Sequence, residues 1–368
     1  MKYFIIAGER SGDLHGGNLI RSLRKDDPKA EIKAFGGDAM SAAGAEVLVH
    51  YREMAFMGFW EVFKNLATIR RLLRRCKEEI SQFKPDVVIL IDYAGFNMKI
   101  AQFAQGTYKV FYYISPKVWA WNQKRAWKIK RFVDRMFVIM PFEKEFYQQF
   151  DWEVDYVGNP VLDAVNDHEP NRSHVPFEQP YVAVLPGSRK QEVANVASVL
   201  EQVADQNAHL LFAVAAVDNL PEELYSGMAA RANIKLVYGH TYDLLAFAQA
   251  AIVTSGTATL ETAMWNVPQV VVYKTSGISY SIAKRLIKVQ YISLVNLIAG
   301  KEVVVELIQN EFNVERLNKE LKKLLSDTSY RRKIDTAYKE MRNLLSVGRA
   351  SDNAARLMSE YLTKKRGA

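Results

Sequence analysis

The segment KPDVVILID, residues 84–92, constrains the fold more than any other. Five consecutive apolar residues, 87–91, follow a Pro-containing break and run into an acid. A strand that is apolar on both faces has no solvated side, so it belongs inside a parallel sheet covered by helices on both faces. Comparable short runs stand at 1–7, 31–35, 47–50, 109–114 and 136–140, separated by stretches with helical patterning near 15–25, 54–79 and 97–105. After Val157-Gly158-Asn159-Pro160 the cycle restarts, with strands read at 181–185, 210–215, 234–238, 251–253 and 269–273 and helical patterning from 314 onward. The polar, Pro-containing stretch 166–180 reads as a linker. This alternation predicts an α/β protein of two Rossmann-like, doubly wound domains with a cleft between them, ligands gathering at the carboxyl ends of the strands.

With 368 residues, 49% hydrophobic and 24% charged, the chain can fill two cores and is not a disordered polymer. The single cysteine, Cys76, excludes an intrachain disulfide framework and suits a reducing compartment. Lys and Arg outnumber Asp and Glu to give +8, which favours an anionic partner. No run approaches the ~18 apolar residues of a transmembrane helix, and the start MKYFIIAGERSGD lacks the pattern of a signal peptide. The expectation is a cytoplasmic protein that meets membrane only from the surface.

Four strand-to-helix loops invite chemistry. Gly8-Glu9-Arg10-Ser11-Gly12-Asp13 permits a tight turn and close approach of a ligand, or is a plain glycine turn with a capping Ser or Asp; it is neither GxGxxG nor a P-loop. Asp92 closes a buried strand, where partial burial raises a carboxylate toward a useful base, or it caps the next helix. Gly187-Ser188-Arg189 opens a helix as phosphate sites do, with Arg189 able to bridge two oxygens, or Ser188 forms a capping box with Gln191 or Glu192. Thr254-Ser255-Gly256-Thr257-Ala258-Thr259, with Glu261 one turn further, makes a phosphate-sized nest or an ordinary helix start.

Other chemistries find no signature. There is no HExxH, no CxxC and no clustered histidine, so neither a metal site nor a cofactor is expected, and the six histidines read as structural or solvated. No GxSxG elbow occurs. No Asp-x-Asp pair occurs either, so a sugar-nucleotide enzyme built on this chain would neutralise its diphosphate with arginine and backbone amides.

Two segments carry cations beside apolar bulk. Residues 117–135 hold seven Lys/Arg against one Asp, interleaved with Trp119, Trp121, Trp127 and Phe132; this suits RNA stacking, a lipid head-group belt, or an amphipathic helix with Trp127 and Ile129 inward. In 54–75, Phe56, Met57, Phe59, Trp60, Phe63 and Leu66 stand beside Arg70, Arg71 and Arg74, either as an interfacial patch for anionic lipid or as a buried helix with an exposed arginine face.

Taken in order, GERSGD (8–13), AFMGFWEV (55–62), KPDVVILIDYAGFN (84–97), YYISPKVWAWNQKR (112–125), LPGSR (185–189), SGTATLE (255–261) and YISLVNLIAGKEVVVELIQ (291–309) resemble the bacterial lipid-A-disaccharide synthases over nearly the whole chain. The resemblance implies a GT-B glycosyltransferase that joins UDP-2,3-diacylglucosamine to 2,3-diacylglucosamine 1-phosphate (lipid X), with inversion, giving lipid A disaccharide 1-phosphate and UDP. It implies domains at 1–165 plus a returning 346–368, and 166–345. Carried across, Asp92 is the general base and Arg189 the clamp on the departing diphosphate. Gly187, Ser188, Ser255, Gly256, Thr257, Ala258, Thr259, Glu261 and Asn296 hold the nucleotide. Glu9, Ser11, Gly12 and Asn97 line the sugar side, Glu9 as a second catalytic carboxylate. The 54–75 segment becomes the patch on the inner face of the cytoplasmic membrane of a Gram-negative cell. Nucleic acid is not an expected partner, and either a monomer or a homodimer fits. One departure stands out: many relatives carry Asp-x-Pro-Asp-Phe-Asn where this chain has Asp92-Tyr93-Ala94-Gly95-Phe96-Asn97, so the second carboxylate of that loop is missing.

Two other classes fit parts of the pattern. A GT-B relative acting on a soluble sugar nucleotide, such as a UDP-N-acetylglucosamine 2-epimerase or a peptidoglycan glycosyltransferase, would share the loops without needing the apolar 54–73 surface. An RNA-binding protein would use the 117–135 stripe and would not need phosphate-type loops in a second α/β half.

Overall fold

The computed structural model describes residues 1–54, 66–286 and 288–363. The chain separates into two compact units, Met1–Pro160 with Val347–Ala368, and Val161–Ser346. Each is a parallel sheet between helices, the doubly wound arrangement expected from the sequence.

In the first unit the strands are β1 (Lys2–Ala7), β2 (Glu31–Gly36), β3 (Glu46–His50), β4 (Val87–Ile91), β5 (Lys109–Tyr113), β6 (Arg135–Val138) and β7 (Asp155–Tyr156). They lie in the order β3-β2-β1-β4-β5-β6-β7, every neighbouring pair parallel. All five residues of β4 are fully buried. Each such Val, Ile or Leu contributes about 1.5–3 kcal/mol of burial, so the apolar run selects its central place between β1 and β5. The helix Ala350–Thr363 packs on the helix Arg10–Asp26, where the Ser22 hydroxyl donates to Asp352 at 2.6 Å and Lys25 pairs with it at 3.0 Å.

The second unit repeats the plan with β8 (Tyr181–Leu185), β9 (Leu211–Ala216), β10 (Ile234–Tyr238), β11 (Ala250–Thr254), β12 (Gln269–Tyr273) and β13 (Glu306–Ile308), in the order β10-β9-β8-β11-β12-β13. The short strands β7 and β13 carry too little apolar sequence to stand out by pattern. In both sheets the chain reverses its direction of winding beside the first strand, between β1 and β4 and between β8 and β11. Such switch points leave a crevice at the carboxyl ends of the strands. The four loops singled out by sequence are the ones that leave β1, β4, β8 and β11.

Two expectations fail here. The stretch 166–180 is not a free linker: His168, Asn171 and His174 all bond Asp243, which is 1% exposed, and Val175 is buried. Polar composition looked like solvation but serves a buried carboxylate. The first helix begins at Arg10 rather than near residue 15, so Ser11, Gly12 and Asp13 form its first turn.

Candidate active site

At the first switch point, β4 ends in two consecutive left-handed residues, Asp92 (φ 42°) and Tyr93 (φ 45°). Such backbone is strained for residues with a Cβ and persists only where neighbours hold it. Asn97, fully buried, supplies the hold: its Nδ2 donates to the carbonyls of Ile91 at 3.1 Å and Asp92 at 2.8 Å. The Tyr112 hydroxyl donates to the same Asp92 carbonyl. Tyr93, not Asp92, is the residue preceding the helix Ala94–Ala104, and no side chain caps that helix. The capping alternative for Asp92 therefore fails, and its carboxylate is left at the exposed end of the strand.

Solvent reaches Asp92, yet the protein packed around its inner side strips part of its hydration. That desolvation, then the charge of Glu9, raises its pKa from the ordinary 3.8, against the pull of Lys117 and a hydrogen bond from the Tyr93 backbone. Glu9 leaves β1 at the N-terminal end of the helix Arg10–Asp26 and makes no capping bond. The two loops touch through Gly8, where a Cβ would stand 2.2 Å from the Tyr93 ring. Only glycine lets that ring lie against the β1 loop. Gly12 is buried in the first turn and Ser11 is exposed beside it. Asp13 caps neither its own loop nor its own helix: its carboxylate accepts the amides of Gly37, Ala39 and Met40 at 2.7–3.1 Å. Gly95, in the place of the relatives' second acid, faces open space.

At the second switch point Gly187 takes φ 116°, a value that favours glycine. Arg189 precedes the helix Lys190–Gln206 and its side chain is 67% exposed. Glu192 folds back so that one carboxylate oxygen accepts the amides of Ser188 at 3.0 Å and Arg189 at 3.2 Å, while the guanidinium lies 3.5 Å from the other. Only half of the capping box exists: the Glu192 carboxylate holds the two amides, while Arg189 is the residue before the helix and the Ser188 side chain does not cap it.

Beside it, Gly256 precedes the helix Thr257–Met264, and a Cβ on Gly256 would meet nothing within 4 Å. Gly256 and Thr257 are exposed and Ala258 half-buried. Ser255 ties this loop down by donating to the Ile292 carbonyl at 2.9 Å. Thr254 at the strand end keeps a buried hydroxyl with no partner among the described residues. Glu261 is raised above its ordinary pKa by burial, while Tyr242 donates to it at 3.1 Å and lowers it. Tyr242 is a residue that sequence reading missed, because nothing local ties it to Glu261.

Three expected ligand contacts are placed beneath the loops instead. The Asn97 amide is spent on backbone. Asn296, fully buried, donates to Val304 and Glu306 and accepts the amides of Val303 and Val304. Thr259, also fully buried, donates to the Gly256 carbonyl at 2.8 Å and accepts from the Leu294 amide at 3.3 Å. Each holds a loop in shape through these bonds, and the buried Oδ1 of Asn97 is left without a partner among the described residues.

The histidines depart from expectation as well. His168, His174 and His240 gather on Asp243 at 2.8, 2.7 and 3.4 Å. Burial works to raise the Asp243 pKa, but hydrogen bonds from the Asn171 amide, His174 and His168 win and bring it to about 2. The rings of His174 and His240 stack 3.8 Å apart, tilted by 24°, and with Asp243 they offer ligand atoms within 4.8 Å of one another, a spacing that could hold a metal ion. The cluster is a hydrogen-bonded clasp.

Of the surface segments, Phe56, Met57, Phe59, Trp60 and Phe63 lie outside the described residues. Leu66, Arg70, Arg71 and Arg74 are exposed on the helix Leu66–Phe83, whose Leu72, Leu73, Cys76 and Ile80 are buried. In the basic stripe Trp119 and Ile129 are buried, whereas Trp121 and Trp127 are about half exposed, at 49% and 50%. Trp127 thus points outward, its ring against Phe150 and beneath Lys130. No described helix is long and apolar enough to cross a membrane.

Comparison with known proteins separates the remaining classes. The profile of the lipid-A-disaccharide synthetase family matches residues 3–360. The chain belongs to this family. Lipid-A-disaccharide synthase of Syntrophus aciditrophicus is 39% identical over 374 residues, covering 98% of this chain and 97% of that one. The enzyme of that name from Geobacter metallireducens is 36% identical over 377 residues, covering 99% and 98%. Among solved structures, the UDP-GlcNAc 2-epimerase of Neisseria meningitidis bound to UDP-GlcNAc superposes with a TM-score of 0.69 at 14% identity, covering 99% of this chain and 100% of that one. That likeness shows the GT-B fold alone; membership rests on the family match. The chain is therefore a glycosyltransferase of lipid A disaccharide synthesis, acting on a UDP-sugar and a lipid substrate, as the resemblance in its motifs implied.

Proposed function

We propose that Asp92 is the general base of an inverting transfer from UDP-2,3-diacylglucosamine to the 6-hydroxyl of 2,3-diacylglucosamine 1-phosphate. The carboxylate takes the hydroxyl proton, and the oxygen attacks the anomeric carbon from the face opposite UDP. The bond to UDP breaks with its electron pair going to the diphosphate. Arg189 and the amides at Gly256, Thr257 and Ala258 neutralise that charge without a metal ion, and the Ser188 amide joins them once the diphosphate displaces the Glu192 carboxylate. Glu261 accepts from the ribose, with Gly187 and Ser255 shaping the nucleotide loops. Glu9 keeps Asp92 basic, and Ser11 and Gly12 line the acceptor side; Asn97, Thr259 and Asn296 position loops. The donor belongs to the unit Val161–Ser346 and the acceptor to the unit Met1–Pro160 with its returning helix.

The observation that carries this reading is the state of Asp92: it ends a buried strand at a switch point, is free of capping duty, and has a pKa raised by desolvation and by Glu9. The exposed Leu66, Arg70, Arg71 and Arg74 rest on anionic lipid at the inner face of the cytoplasmic membrane, the protein acting as a monomer or homodimer.

The test is incubation with the UDP-diacylglucosamine donor and lipid X, following disaccharide by mass spectrometry. Asp92→Ala is expected to abolish product while leaving the fold and UDP binding nearly unchanged. Full turnover in that variant would remove Asp92 as the base.

A further inference from the structure

The first unit contains a cavity of about 860 Å³ that the chemistry above touches only at Ser11. It opens at the carboxyl ends of β1, β2 and β3, lined by Arg10 and Ser11 after β1, Asp38 after β2, and Tyr51 and Arg52 after β3. The strand order β3-β2-β1-β4 makes it the neighbour of the Glu9 and Asp92 loops.

Its charges are unevenly committed. Arg52 lies 3.8 Å from Asp38, which His50 also approaches at 3.6 Å. Asp13 on the cavity wall is consumed by the amides of Gly37, Ala39 and Met40. Arg10 is exposed and has no ion-pair partner among the described residues. It is the first residue of a 17-residue helix, so its guanidinium adds to the positive end of the helix dipole. One turn on, Leu14 also lines the cavity and is 53% exposed, a large apolar side chain left in water beside a free cation. A cation and an apolar contact together suit an anionic, acyl-bearing ligand.

We infer that this cavity is the acceptor's phosphate pocket, with Arg10 binding the 1-phosphate and Leu14 meeting an acyl chain. The inference rests on the reading of Asp92 as the base that serves the acceptor. The 6-hydroxymethyl and the 1-phosphate are carried on C5 and C1, which flank the ring oxygen, so the two groups reach neighbouring loops. With the hydroxyl at Asp92 after β4, a phosphate on the side of the adjacent strand β1 comes within reach of Arg10, whose charge offsets that of Glu9 beside it. Arg10 then distinguishes an acceptor that carries a phosphate monoester from a sugar that lacks one.

The experiment compares kcat/KM for lipid X and for 2,3-diacylglucosamine without the phosphate, in wild type, Arg10→Ala and Arg10→Lys, with thermal unfolding of each. A charge-assisted contact predicts that Arg10→Ala loses roughly tenfold or more with lipid X. The rate with the dephosphorylated acceptor should change far less, the donor KM should hold, and Arg10→Lys should recover part of the loss. An equal loss with both acceptors, or no loss with either, overturns the pocket. A wild type that forms no disaccharide from either acceptor instead removes the functional reading, and the pocket with it.

Discussion

Asn97 holds Asp92 by its backbone: the buried amide donates to the Asp92 carbonyl at 2.8 Å and leaves the carboxylate free. Replacing Asn97 by Ala removes the donor for two buried carbonyls, of which that of Asp92 keeps Tyr112. The expected cost is roughly 1–3 kcal/mol of stability. Because the left-handed turn aims the base, kcat should fall more than the acceptor KM rises. Chemical unfolding together with steady-state kinetics checks both, and unchanged kcat would show that the turn holds itself.

Burial and then the charge of Glu9 raise the pKa of Asp92, the proposed base. A base acts ionised, so a raised pKa moves the acid limb of the kcat/KM profile above the range of a free aspartate. Glu9→Gln removes a negative neighbour, makes ionisation of Asp92 easier, and should shift that limb to lower pH. A pH–rate profile of the variant reads this directly; a limb that stays or moves upward contradicts the assignment.

Gly8 is required by the Tyr93 ring. A methyl there overlaps the ring at 2.2 Å, and Tyr93 is itself anchored through its hydroxyl to the Met54 carbonyl. Gly8→Ala should destabilise by about 1–3 kcal/mol and displace the Asp92 turn, lowering activity further than stability loss explains. Thermal unfolding and turnover below the melting range separate the two effects.

Asp243 makes the second unit acid-sensitive. Its folded pKa, about 2, lies below the ordinary 3.8, so its contribution is present above pH ~4 and disappears as pH falls toward 2. The linked stability is roughly 2 kcal/mol. Asp243→Asn should be less stable than wild type at neutral pH and flatter across that window. Urea unfolding at several pH values tests this; parallel curves for the two proteins would count against the clasp.

Local pattern carried much of the architecture and several chemical groups. The run 87–91 could only be a doubly covered strand, because burial of consecutive apolar residues leaves no solvated face. The same logic located β1, β8 and β11 and therefore the loops that follow them. Residue type at the strand ends marked Asp92, Arg189 and Gly256, with Glu261 one turn further, as candidates, each beside a capping or helix-start alternative.

What pattern could not supply was partnership across the chain. Asn97, Thr259 and Asn296 stood in the right motifs, yet burial turned their amides and hydroxyl toward backbone. The stretch 166–180 looked like a linker because hydrogen bonding to a distant Asp243 leaves no trace in local hydropathy. Gly8 beneath Tyr93, Asp13 capping the helix after β2 and Tyr242 on Glu261 likewise depend on which strands lie side by side. The sequence by itself determined the strands, the switch-point loops and the family, because period and residue type are local properties. The tertiary structure alone decided which of those polar groups stay exposed and which hold the scaffold, because a hydrogen bond is assigned by neighbours in space.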